Sequence, residues 1–268
     1  LRDWGPNSAQ TVHHMAEAMK LAYADRAEYL GDPAFVSVPL AGLTSKKYAD
    51  TLAQQIRPDS ARSAQTIKPG QPLPFESDQT THYSVVDQAG NMVAVTYTLN
   101  TNFGTGIVAA GTGILLNNEM DDFSAKPGVP NAYGLVGGAA NAVAPGKRPL
   151  SSMTPTLVLK DQQPWLVTGS PGGARIITTV LQQIVNGIDF GMNPAEAAAA
   201  VRFHHQWMPD ELRVEKGFSP DTLHLLRQKG QNVVVKPAMG RTQTIQVQGQ
   251  ALWGYSDPRN PDGLTLGY

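Results

Sequence analysis

A hydroxyl residue that also presents its own α-amine carries a nucleophile and a base together, and Gln79-Thr80-Thr81-His82-Tyr83 is where this sequence could make one. A cut between Gln79 and Thr80 would free an amine with an ordinary pKa of about 7.7 to 8.0. Such an amine can take the proton of the Thr80 hydroxyl near neutral pH, directly or through a water. A Thr-Thr pair opening a strand is also what β-propensity alone produces, so the pair by itself decides nothing. Attack on an amide carbonyl builds an oxyanion that must be held. Ser170-Pro171-Gly172-Gly173 lies between an expected strand and an expected helix, where backbone N–H groups at a helix N-terminus could hold it. A plain strand-to-helix turn would look the same.

The elements that must position these groups follow from periodicity and punctuation. A cap at Asn7 or Ser8 opens a helix whose apolar positions Val12, Met15, Met19, Ala22 and Tyr23 keep the helical rhythm to about Leu30, with Gly31 and Pro33 as stops. A shorter helix is expected from Thr44 or Ser45, with Tyr48, Leu52 and Ile56 on one face. Residues 57–78, rich in Pro, Ser and Gln, read as an extended, exposed connector, which suits a processing site. From Tyr83 the period becomes two: Tyr83 and Val85, then Met92, Ala94, Thr96 and Thr98, flank a hairpin turn at Gln88-Ala89-Gly90-Asn91. Thr80 would then open the first strand. Ile114-Leu115-Leu116 reads as a strand, and about Asp121 to Ser152 as a long functional or mobile loop. Strands are expected at 156–159 and 165–168, then a buried helix marked by Ile176, Ile177, Val180, Leu181 and Ile184. Asn193-Pro194 and Ser219-Pro220 start further helices, Gly230 stops the last, and strands at 233–235, 244–247 and 251–255 close the chain. The order is α+β; pattern alone stops at a mixed fold.

Composition narrows the classes. A chain of 268 residues at 41% hydrophobic can bury a sizeable core, while a net charge of −1 with 16% charged residues offers no footprint for nucleic acid. With no Cys there are no disulfides, thiolate nucleophiles or Cys-bound metals. No run of about 18 apolar residues and no signal-peptide pattern is present, so no membrane segment is expected. His13 and His14 are adjacent on a helix and cannot form the i, i+4 pair that chelation needs; a surface or packing role is expected.

The words TTHYSVVD, AVTYTLNTNFGTGIV, GILLNNEMDDFSAKPGVPNAYGLVGG, KRPLSSMTPT, VTGSPGGARIITTV and RFHHQWMPDELRVE, in that order, closely resemble the small subunit of the γ-glutamyltranspeptidases, members of the N-terminal nucleophile (Ntn) hydrolase superfamily. Residues 1–79 resemble the end of the family's large subunit, and 80–268 its small catalytic subunit, the two forming one composite domain. The resemblance implies an αββα four-layer sandwich, incomplete because the first part of the large subunit is absent. It implies self-cleavage between Gln79 and Thr80 of a zymogen, then γ-glutamyl transfer and hydrolysis through an ester on Thr80. Glutathione would be the natural donor, water and the amine of an amino acid or short peptide the acceptors, and no cofactor or metal is called for. Thr98 matches the residue that helps hold the catalytic threonine, and Gly172 and Gly173 match the oxyanion hole. Asn100, Glu119 and Asp122 match the site for the donor's ammonium, Glu119 standing where some members have Gln. Ser151 and Ser152 match the hydroxyls that bind its α-carboxylate. Pro127 to Gly138, with Tyr133 inside, resembles a lid loop with glycine hinges, which argues against a specialist for large β-lactam amides. The family's main carboxylate partner is an Arg in the absent part. No Arg here replaces it by motif, so a weakened donor site is expected, and the missing part becomes an expected partner. A periplasmic or extracellular location is implied by the resemblance alone.

Other readings compete. A serine hydrolase using Ser170 with His204 or His205 lacks the G-x-S-x-G elbow, since Thr168 stands two before Ser170. A metal site at His204-His205 lacks a spaced third ligand. An inactive, unprocessed piece or a non-catalytic scaffold would expose large apolar patches, and a related acylase of the cephalosporin acylase type would share the scaffold.

Overall fold

A computed structural model of the chain describes residues 1–71, 83–101, 103–131 and 134–267. Ser8 caps α1 (Ala9–Tyr29) by accepting from the Thr11 N–H at 3.1 Å, as the capping rule expects. Its stripe of Val12, Met15, Ala16 and Met19 packs on Phe203, Leu212, Val214, Phe218 and Leu226, the main core. One unexpected turn, α2 (Leu40–Leu43), precedes α3 (Lys46–Ala53), which Ser45 caps and which ends before Ile56. The described part of the connector is largely exposed, as its composition suggests, but it is pinned at two buried points. Ala64 and Ile67 are buried, Asp210 accepts from the Ala64 N–H at 2.8 Å, and Glu17 accepts from the Arg62 N–H at 3.2 Å. Long-range carboxylates supply the backbone partners that a connector of this composition cannot make locally.

β1 (Tyr83–Val86) and β2 (Met92–Val95) form the expected antiparallel hairpin, and Asp87 accepts from the Asn91 N–H at its turn. The hairpin lies against a four-stranded antiparallel sheet of order β3 (Thr156–Lys160), β4 (Gln163–Thr168), β8 (Gln243–Gln248) and β9 (Ala251–Ser256), and the Ser84 hydroxyl donates across to the Gln243 carbonyl at 2.9 Å. On its other side Tyr83, Val85 and Val93 are exposed. From β4 the chain enters α4 (Ile176–Ile188), then α5 (Pro194–Ala199), which packs against β8 and β9. Asn193 and Glu196 close a capping box there. β5 (Phe203–His204), β6 (Leu212–Val214) and β7 (Val233–Val235) make a small separate sheet with α6 (Pro220–Gln228) beside it. Helices and largely antiparallel sheets in this order make the fold α+β, as expected. Two expectations fail. Ile114-Leu115-Leu116 is no strand: it makes one bridge, Leu115 to Val108, and leaves Ile114 62% exposed. β2 stops at Val95, so Thr96 and Thr98 lie beyond it.

A charged cluster locks the end of the chain to this scaffold. Arg202 donates to Asp257 at 2.5 Å, Arg259 donates to Glu215 at 2.5 Å and to Asp257 at 3.2 Å, and Asp257 also accepts from the Thr242 N–H at 2.9 Å. Asp257 is wholly buried. Removing one partner of such a pair strands the other's charge, so Asp257→Ala is expected to lower unfolding free energy by about 3 to 5 kcal/mol, read by urea titration against wild type. A loss below about 1 kcal/mol would show that the pair is dispensable.

Candidate active site

A cavity of about 860 Å³ opens where the chain leaves β2, passes residues 151–153, turns from β4 into α4 and runs through 237–241. Thr98, Asn100, Asp122, Ser151, Ser152, Gly172 and Gly173 all line it. The structure thus brings to one cavity most of the residues that the sequence singled out from widely separated words. Glu119 is not on the wall; its carboxyl hydrogen-bonds Asp122, which is. Gln79, Thr80 and Tyr133 lie outside the described residues. Among the described residues of 127–138, none lines the cavity. Gly128 N–H donates to the Gly137 carbonyl, Gly138 N–H donates to the Ala27 carbonyl, and Leu135 is buried against Tyr23 and Ala174.

The glycine turn is built by its backbone. Thr168, at the end of β4, shares a 2.7 Å hydroxyl contact with Thr244 of β8, which fixes where the strand stops. Gly172 then takes φ +145° and Gly173 φ +58°, conformations that suit glycine. No described residue accepts from the N–H of either glycine. Two backbone donors without a partner among the described residues are therefore left before α4, on residues that line the cavity. From behind, the Tyr23 hydroxyl donates to the Ala174 carbonyl at 2.5 Å, and burial pushes that phenol well above its ordinary range, so it stays a donor.

Opposite charges are prepared on the remaining walls. Burial raises the Glu119 carboxyl to about 7, with the Asp122 charge and hydrogen bond acting in the same direction. Burial likewise raises Asp122 to about 6, against the pull of Arg26. The pair carries up to two negative charges but holds a proton readily near neutral pH. Asn100, at φ +78°, donates through its side-chain amide to the Asn118 carbonyl at 3.1 Å, and its N–H donates to the Thr98 hydroxyl at 2.8 Å. Thr98 thereby fixes Asn100. The Ser151 hydroxyl oxygen accepts from the Met153 N–H at 3.1 Å, and the Ser152 hydroxyl oxygen accepts from Arg26 at 2.9 Å. Arg26 is the neighbour of this wall that sequence reasoning missed, because an Arg in the ADRAEY run of a helix reads as a surface residue.

The rival nucleophile is occupied. Ser170 is fully buried, donates to the Pro171 carbonyl at 2.7 Å and accepts from the Arg241 N–H at 2.8 Å, so it braces the turn. Burial drives the His204 imidazole down to about 3, while Thr178 and Gln206 engage its two nitrogens, so it stays neutral. Among the described residues, no three His, Asp or Glu side chains gather as a metal site.

A family model described as gamma-glutamyltranspeptidase matches residues 1–266. The chain is 66% identical over its whole length to a glutathione hydrolase proenzyme of Escherichia coli (strain K12), of which it covers 46%. It is 50% identical over its whole length to another from Pseudomonas sp. (strain A14), covering 48%. It spans about half the length of these relatives. Among solved structures, the Helicobacter pylori gamma-glutamyltranspeptidase T380A mutant superposes with a TM-score of 0.66 at 56% identity, over 67% of this chain and 100% of that one. A cephalosporin acylase from Bacillus halodurans superposes with a TM-score of 0.81 at 30% identity, over 96% of this chain and 45% of that one.

Proposed function

Because the chain belongs to the γ-glutamyltranspeptidase family, we propose that it carries the catalytic centre of a γ-glutamyl transferase and hydrolase. Its donors would be glutathione and other γ-glutamyl amides. The supporting observation is the single cavity on which Thr98, Asn100, Asp122, Ser151, Ser152, Gly172 and Gly173 converge. The Thr80 oxygen would first attack the Gln79 carbonyl; shifting the acyl group from nitrogen to oxygen breaks the C–N bond and frees the Thr80 amine, and water then hydrolyses the ester to free the hydroxyl and leave Gln79 as a carboxylate. That amine would then take the Thr80 hydroxyl proton as the oxygen attacks the donor's γ-carbonyl. The N–H groups of Gly172 and Gly173 would hold the oxyanion, and collapse would expel the amine leaving group with the proton returned to it. Water, or the amine of an amino acid or short peptide, would release the γ-glutamyl group. The preceding half of such a protein is the partner proposed to complete the donor pocket, and a place in the periplasm or outside the cell is proposed on the family likeness.

An acylase is the second reading, favoured by the likeness to the cephalosporin acylase over 96% of the chain. The Glu119–Asp122 pair separates the two, because a γ-glutamyl donor carries an ammonium and a glutaryl donor does not. Carboxylates whose pKa is raised bind a cation only above that pKa. As pH falls from about 8 through 7 to 6, protonation removes the negative charge. KM for γ-glutamyl-p-nitroanilide is therefore expected to rise by about tenfold over that interval, and KM for glutaryl-p-nitroanilide to stay flat or fall. Glu119→Gln, which cannot titrate, should flatten the upper part of that rise. Faster turnover of the glutaryl amide with no such pH dependence would favour the acylase.

A further inference from the structure

Arg26 sits on α1, 9% exposed, directly behind the two serines of the cavity wall. It donates to the Ser152 hydroxyl oxygen at 2.9 Å and to the Ser151 carbonyl at 3.3 Å. No carboxylate among the described residues comes within ion-pairing distance of it; Asp122 and Tyr23 act on it only through space. A buried guanidinium without a counter-ion is costly, and the ordinary remedy is a carboxylate. The serines show where that carboxylate would be. A hydroxyl has one proton and two lone pairs. Arg26 fills a lone pair on Ser152, and the Met153 N–H fills one on Ser151. The described residues give neither hydroxyl proton an acceptor, so both protons are available to whatever enters the cavity. Two O–H donors in front of one buried cation are the parts of a carboxylate site.

We propose that Arg26 is a positioning residue for the α-carboxylate of the γ-glutamyl donor, turning the Ser152 hydroxyl toward it, holding the Ser151 backbone in place and supplying the charge behind both. The proposal rests on the donor-pocket reading above. What it adds to the two serines already expected there is a buried cation of this chain behind them.

The test is calorimetric titration of the 268-residue chain with L-glutamate and with 4-aminobutyrate, which is the same molecule without the α-carboxylate. The wild-type chain is expected to bind L-glutamate the more tightly. Arg26→Met is expected to weaken L-glutamate by about tenfold or more and 4-aminobutyrate by less than about twofold. Arg26→Lys, which keeps the charge, should recover most of the loss. Arg26→Gln, which keeps an N–H donor for Ser152 but no charge, should also weaken L-glutamate alone and gives the same reading if Arg26→Met does not fold. Equal weakening of both ligands would reduce Arg26 to a tether between α1 and the serine turn, and no weakening would overturn it outright. A wild-type chain that binds neither ligand would remove the donor pocket and this proposal together, whereas wild-type discrimination untouched by the Arg26 variants would remove Arg26 alone.

Discussion

Thr80→Ala is expected to leave the chain as one polypeptide, while the wild-type chain separates into a piece ending at Gln79 and a piece beginning at Thr80. Intact mass spectrometry over a time course resolves the two outcomes. Without Oγ there is no atom to accept the acyl group from the Gln79–Thr80 amide, so no ester forms for water to open. The second consequence is larger. An uncut Thr80 nitrogen is an amide and has no basicity to offer, and Ala has no nucleophile, so turnover of γ-glutamyl-p-nitroanilide should fall by roughly 10⁴-fold or more. Thr80→Ser keeps the hydroxyl and should retain both cleavage and turnover at reduced rates, which separates loss of the nucleophile from loss of the fold. Cleavage of the Ala variant at the same bond and rate as wild type would mean that another group, or a contaminating protease, makes the cut.

The cavity draws on both sides of that proposed cut. α1 precedes it, yet Tyr23 braces the Ala174 carbonyl behind the glycine turn, and Arg26, one turn on along the same face, braces the serine turn. The described part of the connector is fastened by Glu17 and Asp210, so the chain before Gln71 has anchors that do not depend on the Gln79–Thr80 bond. A cut there could free the new amine without releasing α1 from the cavity wall.

Local signals were readable in the sequence where one short stretch carries the whole instruction. Asn193-Pro194 with Glu196 three residues after Asn193 specifies a helix start, Ser219-Pro220 does the same, and the alternation around Gln88-Ala89-Gly90-Asn91 specifies a hairpin; each forms as expected. Elements defined by distant partners were not readable. β5 is two residues long and exists because Phe203 and His204 pair with Val214 and Arg213 of β6. Ile114-Leu115-Leu116 has the apolarity of a strand but finds only the Val108 bridge. In the site, resemblance gathered the residues that line the cavity and missed Arg26, which meets Ser152 only by an approach across the fold. His13 was expected on the surface or in packing, and it is buried, held by the Arg57 carbonyl at 2.7 Å and Gln231 at 3.0 Å.

Gly172→Ala is expected to lower kcat for γ-glutamyl-p-nitroanilide by about 10² to 10³-fold while KM moves by less than about threefold. Space is not the obstacle. A Cβ built on Gly172 would meet Gly240 Cα at 3.5 Å and Ile176 Cγ1 at 3.7 Å, which are ordinary contacts. Conformation is the obstacle, since φ +145° with ψ 14° is strained for an L side chain, at a cost of order 1 to 3 kcal/mol. Alanine would relieve the strain by turning the peptide, and the direction of the N–H groups at the mouth of α4 would turn with it. Gly173, at φ +58°, sits where the backbone penalty for alanine is about 1 to 2 kcal/mol, so on backbone strain Gly173→Ala should lose less. The ordering of the two variants tests the direction of a donor rather than the size of a side chain. If KM rose with kcat unchanged, the glycines would be shaping the donor pocket. If both variants were harmless, the oxyanion would have to be held by groups other than these two N–H donors, and the start of α4, where the Arg175 N–H returns to the Gly172 carbonyl at 3.3 Å, would be a turn and nothing more.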